Sequence, residues 1–264
     1  MEQFENPDFI SVGDLAKTIG SEKRTQTDLL EGMQYKLNTK NQDCIEIQIL
    51  ADNKVLWKQK ETEYTADANI YLIADKVFFI DFVNPQNILE SHSLILDTEF
   101  EIATHVVGTL PKKEEYQLSL FERAEKKMCL SPVKLYWEHL AIGHSYTADT
   151  KKHETTTELV GHRYLWHYTD TETYEHNYLS DQFYTWYCHS GSEKGLCDTD
   201  RCFYFKIRPG IYYFIWIEKI IPTLGMVVED TNEMKTCGKL YGYSGYTQGN
   251  IVNCQMAAEG ERLQ

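Results

Sequence analysis

The sequence has little basic character and lacks any long apolar run. Its 26 lysine and arginine residues are outnumbered by 40 aspartate and glutamate residues, which gives a formal net charge of −14. A phosphate backbone or an anionic lipid surface needs a basic protein face, so we expect no nucleic-acid partner and no membrane partner. No stretch reaches the roughly 18 apolar residues of a membrane-spanning helix, and residues 1–20 carry no basic-then-apolar signal. The expected location is therefore the cytoplasm.

Motifs for thiol, metal and phosphate chemistry are also missing. The seven cysteines include no CxxC pair, and without a secretory signal free thiols are the default. The sequence has no HExxH or HxH motif, no glycine-rich phosphate loop and no GxSxG elbow. The sequence therefore predicts no metal site and no bound cofactor.

Helical periodicity is scarce and is confined to two short segments. Residues 11–19 carry apolar side chains at helical spacing and precede Gly20, and residues 119–128 form a second short helical or irregular connection. Most of the remaining chain alternates apolar and polar residues between turn-forming residues, as strands do. Aromatic residues make up 13% of the chain, and such residues favour strands and line concave pockets.

The chain contains an internal repeat. When the two halves are aligned at an offset of 129 residues, identical residues match in one gap-free register. Further along the chain an insertion changes the offset to 133–134, and residues 77–79 then match residues 211–213. Residues 25–110 and 155–245 are therefore interpreted as two copies of one β-rich unit. The identities at offset 129 are Leu30 with Leu159, Gly32 with Gly161, Tyr35 with Tyr164, Glu46 with Glu175, Leu50 with Leu179, Asp52 with Asp181, and Trp57 with Trp186.

Each copy contains five to seven candidate strands joined by short connections, which favour antiparallel pairing. A sheet that closes on itself has no exposed edge and encloses an interior. The predicted fold is mainly β, with two tandem antiparallel β-barrel domains, residues 1–115 and 116–264, and few short helices. Residues 133–142 are apolar enough to form a strand within the connection, and we expect a last strand after Gly249.

Several motifs of the C-terminal half resemble one protein family. They are LVG at 159–161, YEHNY at 174–178, YTW at 184–186, GLCDTDRC at 195–202, FIWIEKIIPT at 214–223 and GKLYG at 238–242. This pattern resembles the MoaF family, often labelled molybdenum cofactor biosynthesis protein F, over most of the chain. The family is similar to the calycins, which are lipocalin-like ligand-binding barrels. The resemblance implies an N-terminal and a C-terminal barrel module, and it carries over no catalytic residue.

The two copies differ at matched inward positions, where aliphatic residues become polar and aromatic ones. Copy one therefore resembles a filled core and copy two a lined cavity. Buried polar groups need partners, so the alternatives are a ligand or a satisfied core network. The exchanges are Ile45 to Tyr174, Ile47 to His176, Ile49 to Tyr178, Phe78 to Tyr212, Ile80 to Phe214, Phe82 to Trp216, and Asn84 to Glu218.

Candidate site residues follow from this comparison. A histidine, a tyrosine and a buried glutamate can transfer protons, so His176, Tyr178 and Glu218 are the catalytic candidates if the protein is an enzyme. The alternation of the strand after residue 200 favours outward positions for Tyr204 and Lys206, although an inward Lys206 would bind an anionic ligand group. Arg201 either caps the pocket or, as we favour, pairs with an aspartate. The candidate ligand-binding residues are Trp186, Arg201, Tyr204, Lys206, Tyr212 and Trp216.

Three functions are compatible with these patterns. The favoured function is a binding module that holds a small, partly aromatic or anionic molecule in the C-terminal domain. The second is an acid–base enzyme, a lyase, isomerase or cyclase acting on a small aromatic or anionic metabolite, since the calycin-like phenolic acid decarboxylases show that such barrels can catalyse reactions. The third is a non-catalytic structural or interaction protein. Assembly into a homo-oligomer stays open.

Overall fold

The computed structural model describes residues 9–19, 25–245 and 249–263. These residues form two closed antiparallel barrels, each built from eight strands. The predicted fold class is therefore confirmed. No helix within the described ranges is long and apolar enough to cross a bilayer.

The N-terminal barrel is a simple meander in which each strand pairs with the next one along the chain. The barrel closes where the last strand meets the first, through the pairs Leu37–Ile142 and Asn38–Ala141. This last strand is the one predicted within residues 133–142. The strands are β1 (Gln34–Asn38), β2 (Cys44–Leu50), β3 (Lys54–Gln59), β4 (Thr62–Ala74), β5 (Val77–Val83), β6 (Glu90–Asp97), β7 (Ile102–Thr109) and β8 (Lys134–Ile142).

The C-terminal barrel repeats this meander. It closes where its last strand pairs with its first, from Glu259–His167 to Arg262–Tyr164, and that last strand confirms the one expected after Gly249. The strands are β9 (Arg163–His167), β10 (Thr173–Tyr178), β11 (Phe183–Ser190), β12 (Cys197–Arg208), β13 (Ile211–Glu218), β14 (Thr223–Asp230), β15 (Lys235–Tyr243) and β16 (Ile251–Arg262).

The repeat register reappears in the strand positions. Strand β1 and strand β9 both begin and end 129 residues apart, since 163 − 34 = 167 − 38 = 129. The repeated glycines Gly32 and Gly161 both adopt the left-handed region, with φ of 79° and 87°, which glycine reaches without steric cost. The turn before the first strand is therefore the same in both copies.

The described helices are short. Helix α1 (Val12–Leu15) begins at Ser11, whose hydroxyl accepts a hydrogen bond from the Asp14 backbone N–H, and it is shorter than the predicted segment 11–19; the expected end at Gly20 lies outside the described residues. Helix α2 spans Lys113–Tyr116. Helix α3 (Leu120–Glu125) lies in the predicted segment 119–128 and begins with a capping box between Ser119 and Glu122.

The compact units do not follow the linear order of the chain. Residues 24–111 group with residues 134–154, whereas residues 112–133 and 155–264 group with the described part of residues 1–23. The predicted domain boundary after residue 115 does not match this grouping. Strand β8 follows that boundary but closes the N-terminal barrel, and α1 precedes it but packs on strands β15 and β16 of the C-terminal barrel.

Strand alternation places the predicted core side chains inside the N-terminal barrel. Ile45, Ile47 and Ile49 are at most 2% exposed and pack with Phe82 and Leu94. Burying one such aliphatic side chain contributes about 1.5–3 kcal/mol. The inward orientation inferred from the alternation of β2 is confirmed.

Candidate functional site

The C-terminal barrel encloses a cavity with a water-accessible volume of about 50 Å³. One water molecule needs roughly 10–15 Å³ measured in this way, so the space admits several waters or a small organic group. The lining consists of aromatic rings, aliphatic side chains and a few polar groups. The lining residues are Ile10, Leu15, Ile19, Tyr168, Tyr174, His176, Tyr184, Trp186, Glu193, Trp216, Glu218, Thr223, Leu240 and Met256.

One wall of the cavity is formed by residues 9–19, which we call the N-terminal strap. Ile10, Leu15 and Ile19 contribute its lining side chains. The backbone N–H of Ile10 donates to Glu193 Oε1 at 3.3 Å, and the hydroxyl of Ser11 donates to the carbonyl of Ser244 at 3.0 Å. The hydroxyl of Ser192 also donates to the Thr18 hydroxyl at 3.1 Å, so hydrogen bonds join both ends of the strap to the barrel.

Five aromatic rings dominate the remaining wall, and we call them the aromatic wall. The ring centroids of Tyr184 and Trp216 lie 5.7 Å apart, those of Tyr168 and Tyr174 lie 5.9 Å apart, and those of Tyr174 and Trp186 lie 6.2 Å apart. These separations are typical of aromatic pairs in contact. Four of the five rings come from strands β10, β11 and β13, where alternation turns every second side chain inward.

The polar groups near the aromatic wall are mainly carboxyls. Trp216 Nε1 donates to Glu218 Oε1 at 2.9 Å, Trp186 Nε1 donates to Asp200 Oδ2 at 3.3 Å, and the Tyr174 hydroxyl donates to Glu193 Oε2 at 3.1 Å. Each carboxyl is thus positioned by an aromatic residue that lines the cavity.

Burial changes the acidity of all three carboxyls. Loss of hydration, which disfavours the charged form, raises the pKa of Asp200 from 3.8 to about 6, although Lys219 opposes this change. Burial first, and then the charge of Asp200, raises the pKa of Glu218 well above its usual value. Burial likewise raises the pKa of Glu193. In the empty barrel these groups therefore retain protons more strongly than exposed carboxyls do.

A second polar group lies deeper in the barrel and consists of His176, Tyr178 and Glu229. The Tyr178 hydroxyl donates to Glu229 Oε1, and His176 Nδ1 lies 3.5 Å from the same oxygen and 3.4 Å from the Tyr178 hydroxyl. Glu229 is fully buried, and its Oε2 has no hydrogen-bond partner among the described residues. The contacts of His176 thus use Nδ1, and Nε2 is the ring nitrogen available to a ligand.

The structure brings four of the predicted site residues to the cavity: His176, Trp186, Trp216 and Glu218. Tyr178 lies behind this wall, where it contacts His176 and Glu229. The prediction that grouped His176, Tyr178 and Glu218 therefore describes side chains that occupy one barrel interior.

Tyr204 differs from its favoured outward position, whereas Lys206 lies outside the cavity lining as favoured. Tyr204, favoured as an outward residue, is 3% exposed and stacks on Phe214 with ring centroids 5.4 Å apart. Lys206 does not line the cavity but forms an ion pair with Glu158, and the Tyr212 hydroxyl donates to the same carboxylate at 2.8 Å. Lys206 therefore does not point into the cavity, as the alternative interpretation required, and Tyr204 and Tyr212 do not belong to the cavity lining either.

Arg201 also lies away from the cavity lining. Its guanidinium donates to the side chain of Gln182 and lies over the rings of Phe183 and Phe203, 5.5 and 5.7 Å from their centroids. The favoured pairing with a neighbouring aspartate is therefore wrong. Stacking on aromatic faces suits the planar guanidinium, and it accounts for this position on β12.

The sequence analysis did not identify Glu229, Glu193 or the strap. For Glu229 a signal was present, because the offset of 133 pairs it with Leu96, a fully buried core residue of copy one. This pair shows the same exchange as the others, in which a polar inward residue of copy two takes the place of an aliphatic one in copy one. Glu193 lies in the insertion, which has no counterpart in copy one, and the contact of the strap with the barrel leaves no pattern in the sequence.

The N-terminal barrel contains a polar cluster that was not predicted. His92 Nδ1 lies 3.0 Å from His105 Nε2, His92 Nε2 lies 3.1 Å from Glu90 Oε1, and His105 Nδ1 lies 3.4 Å from Glu138 Oε1. Both histidines are at most 5% exposed. The core of copy one is therefore not filled by apolar residues alone.

No metal site is evident in the part of the chain that the structure describes, since no three His, Cys, Asp or Glu side chains come together as ligands there. The polar groups of the C-terminal barrel are instead hydrogen-bonded in pairs and triads.

Two closed barrels in tandem, one of them with an aromatic and acidic cavity, define a duplicated β-barrel protein. The model of the MoaF N-terminal domain matches residues 7–112, and that of the MoaF C-terminal domain matches residues 153–264. The chain is 33% identical over 216 residues to Protein MoaF of Klebsiella aerogenes, a match that covers 81% of this chain and 79% of that protein. The chain belongs to the MoaF family.

A solved structure from Burkholderia vietnamiensis, provisionally described as a beta-lactamase, also shows similarity. It is 11% identical, with a TM-score of 0.35, and the match covers 40% of this chain and 96% of that chain. A score this low supports no conclusion about the fold or activity of the present protein.

Proposed function

We propose that the C-terminal barrel binds a small organic molecule in its cavity, as calycin-like ligand-binding barrels do. The observation that carries the proposal is the lining of the barrel. Where the N-terminal barrel buries Ile47 and Phe82, the C-terminal barrel places His176 and Trp216 around an open space. Polar atoms enclosed without partners cost free energy, and a ligand would supply the partners.

The composition of the lining supports this proposal. Ligand sites in proteins are mostly apolar and aromatic, with a few polar groups that orient the ligand. The volume of about 50 Å³ is small beside the roughly 300–1,000 Å³ of pockets for drug-sized molecules. The ligand is therefore small, or the strap moves outward when a larger one binds.

Filling the cavity tests the proposal. Leu240 lines the cavity, and Leu240→Trp is expected to abolish the ligand that native mass spectrometry detects on protein purified from its source. Overpacking costs about 1–3 kcal/mol, so the variant should still fold, as its circular dichroism melting curve would show.

Leu179→Trp is the matched control, because Leu179 is 50% exposed on the same barrel. It should retain the ligand of the wild-type protein. If the wild-type protein carries no ligand, or if Leu240→Trp carries as much as the control, the binding proposal is wrong and the structural or interaction alternative gains support.

A second candidate function, acid–base catalysis, is favoured by the triad of His176, Tyr178 and Glu229. A buried carboxylate next to Nδ1 orients an imidazole so that Nε2 can exchange a proton with a bound molecule. Glu218, whose pKa burial raises, would supply or accept a second proton. Such a pair serves lyase, isomerase or cyclase reactions.

Deuterium exchange separates the two functions. An acid–base enzyme in D₂O is expected to incorporate deuterium at a carbon of its own copurified ligand. His176→Gln should abolish this incorporation while leaving the melting temperature close to that of the wild-type protein. A ligand that stays unlabelled in the wild-type protein would support binding without catalysis, whereas strong destabilisation by His176→Gln would support a core network.

A further inference from the structure

We infer that the ligand of the C-terminal cavity is a small organic cation, an ammonium group on a compact carbon skeleton. This inference rests on the proposed ligand-binding function and names the chemical class of its ligand. Three observations support it: the rings of the aromatic wall, the charges of the cavity lining, and the hydrogen-bond acceptors that the lining leaves unused.

The aromatic wall offers the first argument. Two tryptophans and three tyrosines line one small space, with neighbouring centroids 5.7–6.2 Å apart. The faces of such rings carry negative electrostatic potential, and groups of them bind ammonium ions with about 0.5–2 kcal/mol per ring. An apolar ligand gains less from tryptophan and tyrosine rings in particular, because aliphatic side chains would bury an apolar ligand equally well.

The charges of the lining offer the second argument. Two of the lining residues are glutamates, Glu193 and Glu218, and none is lysine or arginine. Neighbouring lysines have other contacts: Lys219 pairs with Asp198 and Asp200, and Lys239, next to Leu240 in sequence, lies over the ring of Tyr241. An anionic ligand would therefore find no lysine or arginine in the lining, and its charge would make ionisation of the two carboxyls still more costly, whereas a cation would make it less costly.

The unused acceptors offer the third argument. The hydrogen bond that Glu218 accepts uses Oε1, and the contacts of His176 use Nδ1. His176 lines the cavity, and because its described contacts use Nδ1, Nε2 is the ring nitrogen that remains for a ligand. An ammonium group has N–H donors only, and it would donate to the carboxylate of Glu218 and to the Nε2 of a neutral His176.

The acidity of Glu218 adds a measurable consequence. In the empty cavity, burial raises the pKa of this carboxyl, and so favours its protonated form. A cation next to the carboxyl favours the charged form instead. Cation binding therefore releases a proton, and the affinity rises as the pH rises toward the pKa of Glu218 in the empty protein. A neutral ligand of the same shape releases none.

Calorimetry with three isosteric probes tests the inference on the wild-type chain. Isobutylamine, isobutanol and isobutyrate share one carbon skeleton and differ in charge. We expect isobutylamine to bind at least about tenfold more tightly than either of the others, since one charge-assisted contact is worth about 1.4 kcal/mol or more. Titrations in two buffers of different ionisation enthalpy should show proton release with isobutylamine and with tetramethylammonium.

The variant Glu218→Gln tests the role of Glu218 in binding the cation. It keeps the shape and the hydrogen bond from Trp216, and it is expected to weaken isobutylamine about tenfold and to abolish proton release, without weakening isobutanol. Glu233→Gln is the control, because Glu233 is exposed and lies outside the cavity.

The outcomes distinguish failure of the cation assignment from failure of the ligand-binding proposal on which it rests. If isobutanol or isobutyrate binds as tightly as isobutylamine, the cavity is a ligand site but the cation assignment is wrong. If the amine binds without proton release, or equally well to Glu218→Gln, the role of Glu218 is wrong. If no probe binds and Leu240→Trp changes nothing, both the inference and the ligand-binding proposal are overturned. The comparison of probes on the wild-type chain decides the assignment even if a variant fails to fold.

Discussion

Asp200 shows at the residue scale how the acidic side of the cavity is maintained. Its carboxyl is 2% exposed, accepts a hydrogen bond from Trp186 and lies 3.3 Å from the ammonium of Lys219. Burial nevertheless dominates, because it raises the pKa from 3.8 to about 6. The charged form of a carboxyl at this site therefore costs free energy unless a cation compensates its charge.

Asp200 is expected to make the protein less stable as the pH rises from about 4 to about 6. In this range the folded state keeps a proton that the unfolded state has released, because the folded pKa is the higher one, so the free energy of unfolding falls with rising pH. A shift of this size corresponds to a loss of at most about 3 kcal/mol. Asp200→Asn should flatten the fall, measured by urea denaturation from pH 4 to pH 7.

The raised pKa of Glu218 also makes the free energy of unfolding fall as the pH rises. Part of this pH dependence will therefore remain in Asp200→Asn. Asp67→Asn is the control, since the Asp67 side chain is 89% exposed, and its slope should equal that of the wild-type protein. An unchanged slope in Asp200→Asn would contradict the assignment of the effect to this carboxyl.

Single residues also show what the sequence could reveal about the site. His176 and Glu218 were predictable because the repeat supplied an aliphatic or neutral counterpart for each of them. Tyr204 was not, because the rule that an apolar face is buried cannot choose between two buried faces, and both Tyr204 and Phe205 are at most 3% exposed. The partners of Lys206 and Arg201 depend on neighbouring strands, which a pattern along one strand does not describe.

At the scale of elements, the strap is a part of the cavity wall that does not belong to the strands of the closed barrel. Helix α1 has four residues, too few for a stable helix on its own, so its position depends on packing against the barrel. Gly13 permits that packing: a Cβ atom there would lie 2.5 Å from the carbonyl oxygen of Ser244. The approach of the strap to the loop after β15 therefore requires a glycine.

Gly13→Ala is expected to displace the strap without unfolding the barrel. The added methyl group meets backbone rather than a mobile side chain, so the strap must move away. Hydrogen–deuterium exchange of the amides of residues 9–19 should become faster, by about tenfold for each 1.4 kcal/mol of attachment lost, and a bound ligand should dissociate faster.

Gly245→Ala is the matched control, because none of the residues that the structure describes lies within 4 Å of a Cβ atom at Gly245. Its exchange rates should equal those of the wild-type protein. Equal protection of residues 9–19 in Gly13→Ala and in this control would show that the strap tolerates the methyl group and does not depend on the close approach.

At the scale of the whole molecule, the repeat predicted the two barrels but not how the chain is divided between them. Alternation and the offset of 129 act along continuous sequence, so they identify strands and copies. The closure of the N-terminal barrel joins β1 to β8 across about a hundred residues through two residue pairs. Neither that pairing nor the return of the strap to the C-terminal barrel leaves a local pattern.

Fragments of the chain test the closure. A fragment of residues 24–115 lacks β8, so the edges of β1 and β7 would be unpaired and prone to aggregation. A fragment of residues 24–154 contains all eight strands of the barrel and is expected to unfold cooperatively as a monomer. Size-exclusion chromatography and thermal melting would compare them. A shorter fragment that is equally monomeric and equally stable would show that β8 is dispensable for the fold.

The pairing of Trp216 with Gly225 has a consequence for the history of the two copies. In copy one the matched residues are Phe82 and His92, whose rings stack at a centroid distance of 5.1 Å. In copy two a Cβ atom at Gly225 would lie 2.0 Å from the indole of Trp216, so this indole and any side chain at 225 exclude each other. If the ancestral pair resembled that of copy one, the change to glycine came before the change to tryptophan or together with it. In that case the mutations that formed this part of the aromatic wall had a preferred order, and the glycine was the permissive step.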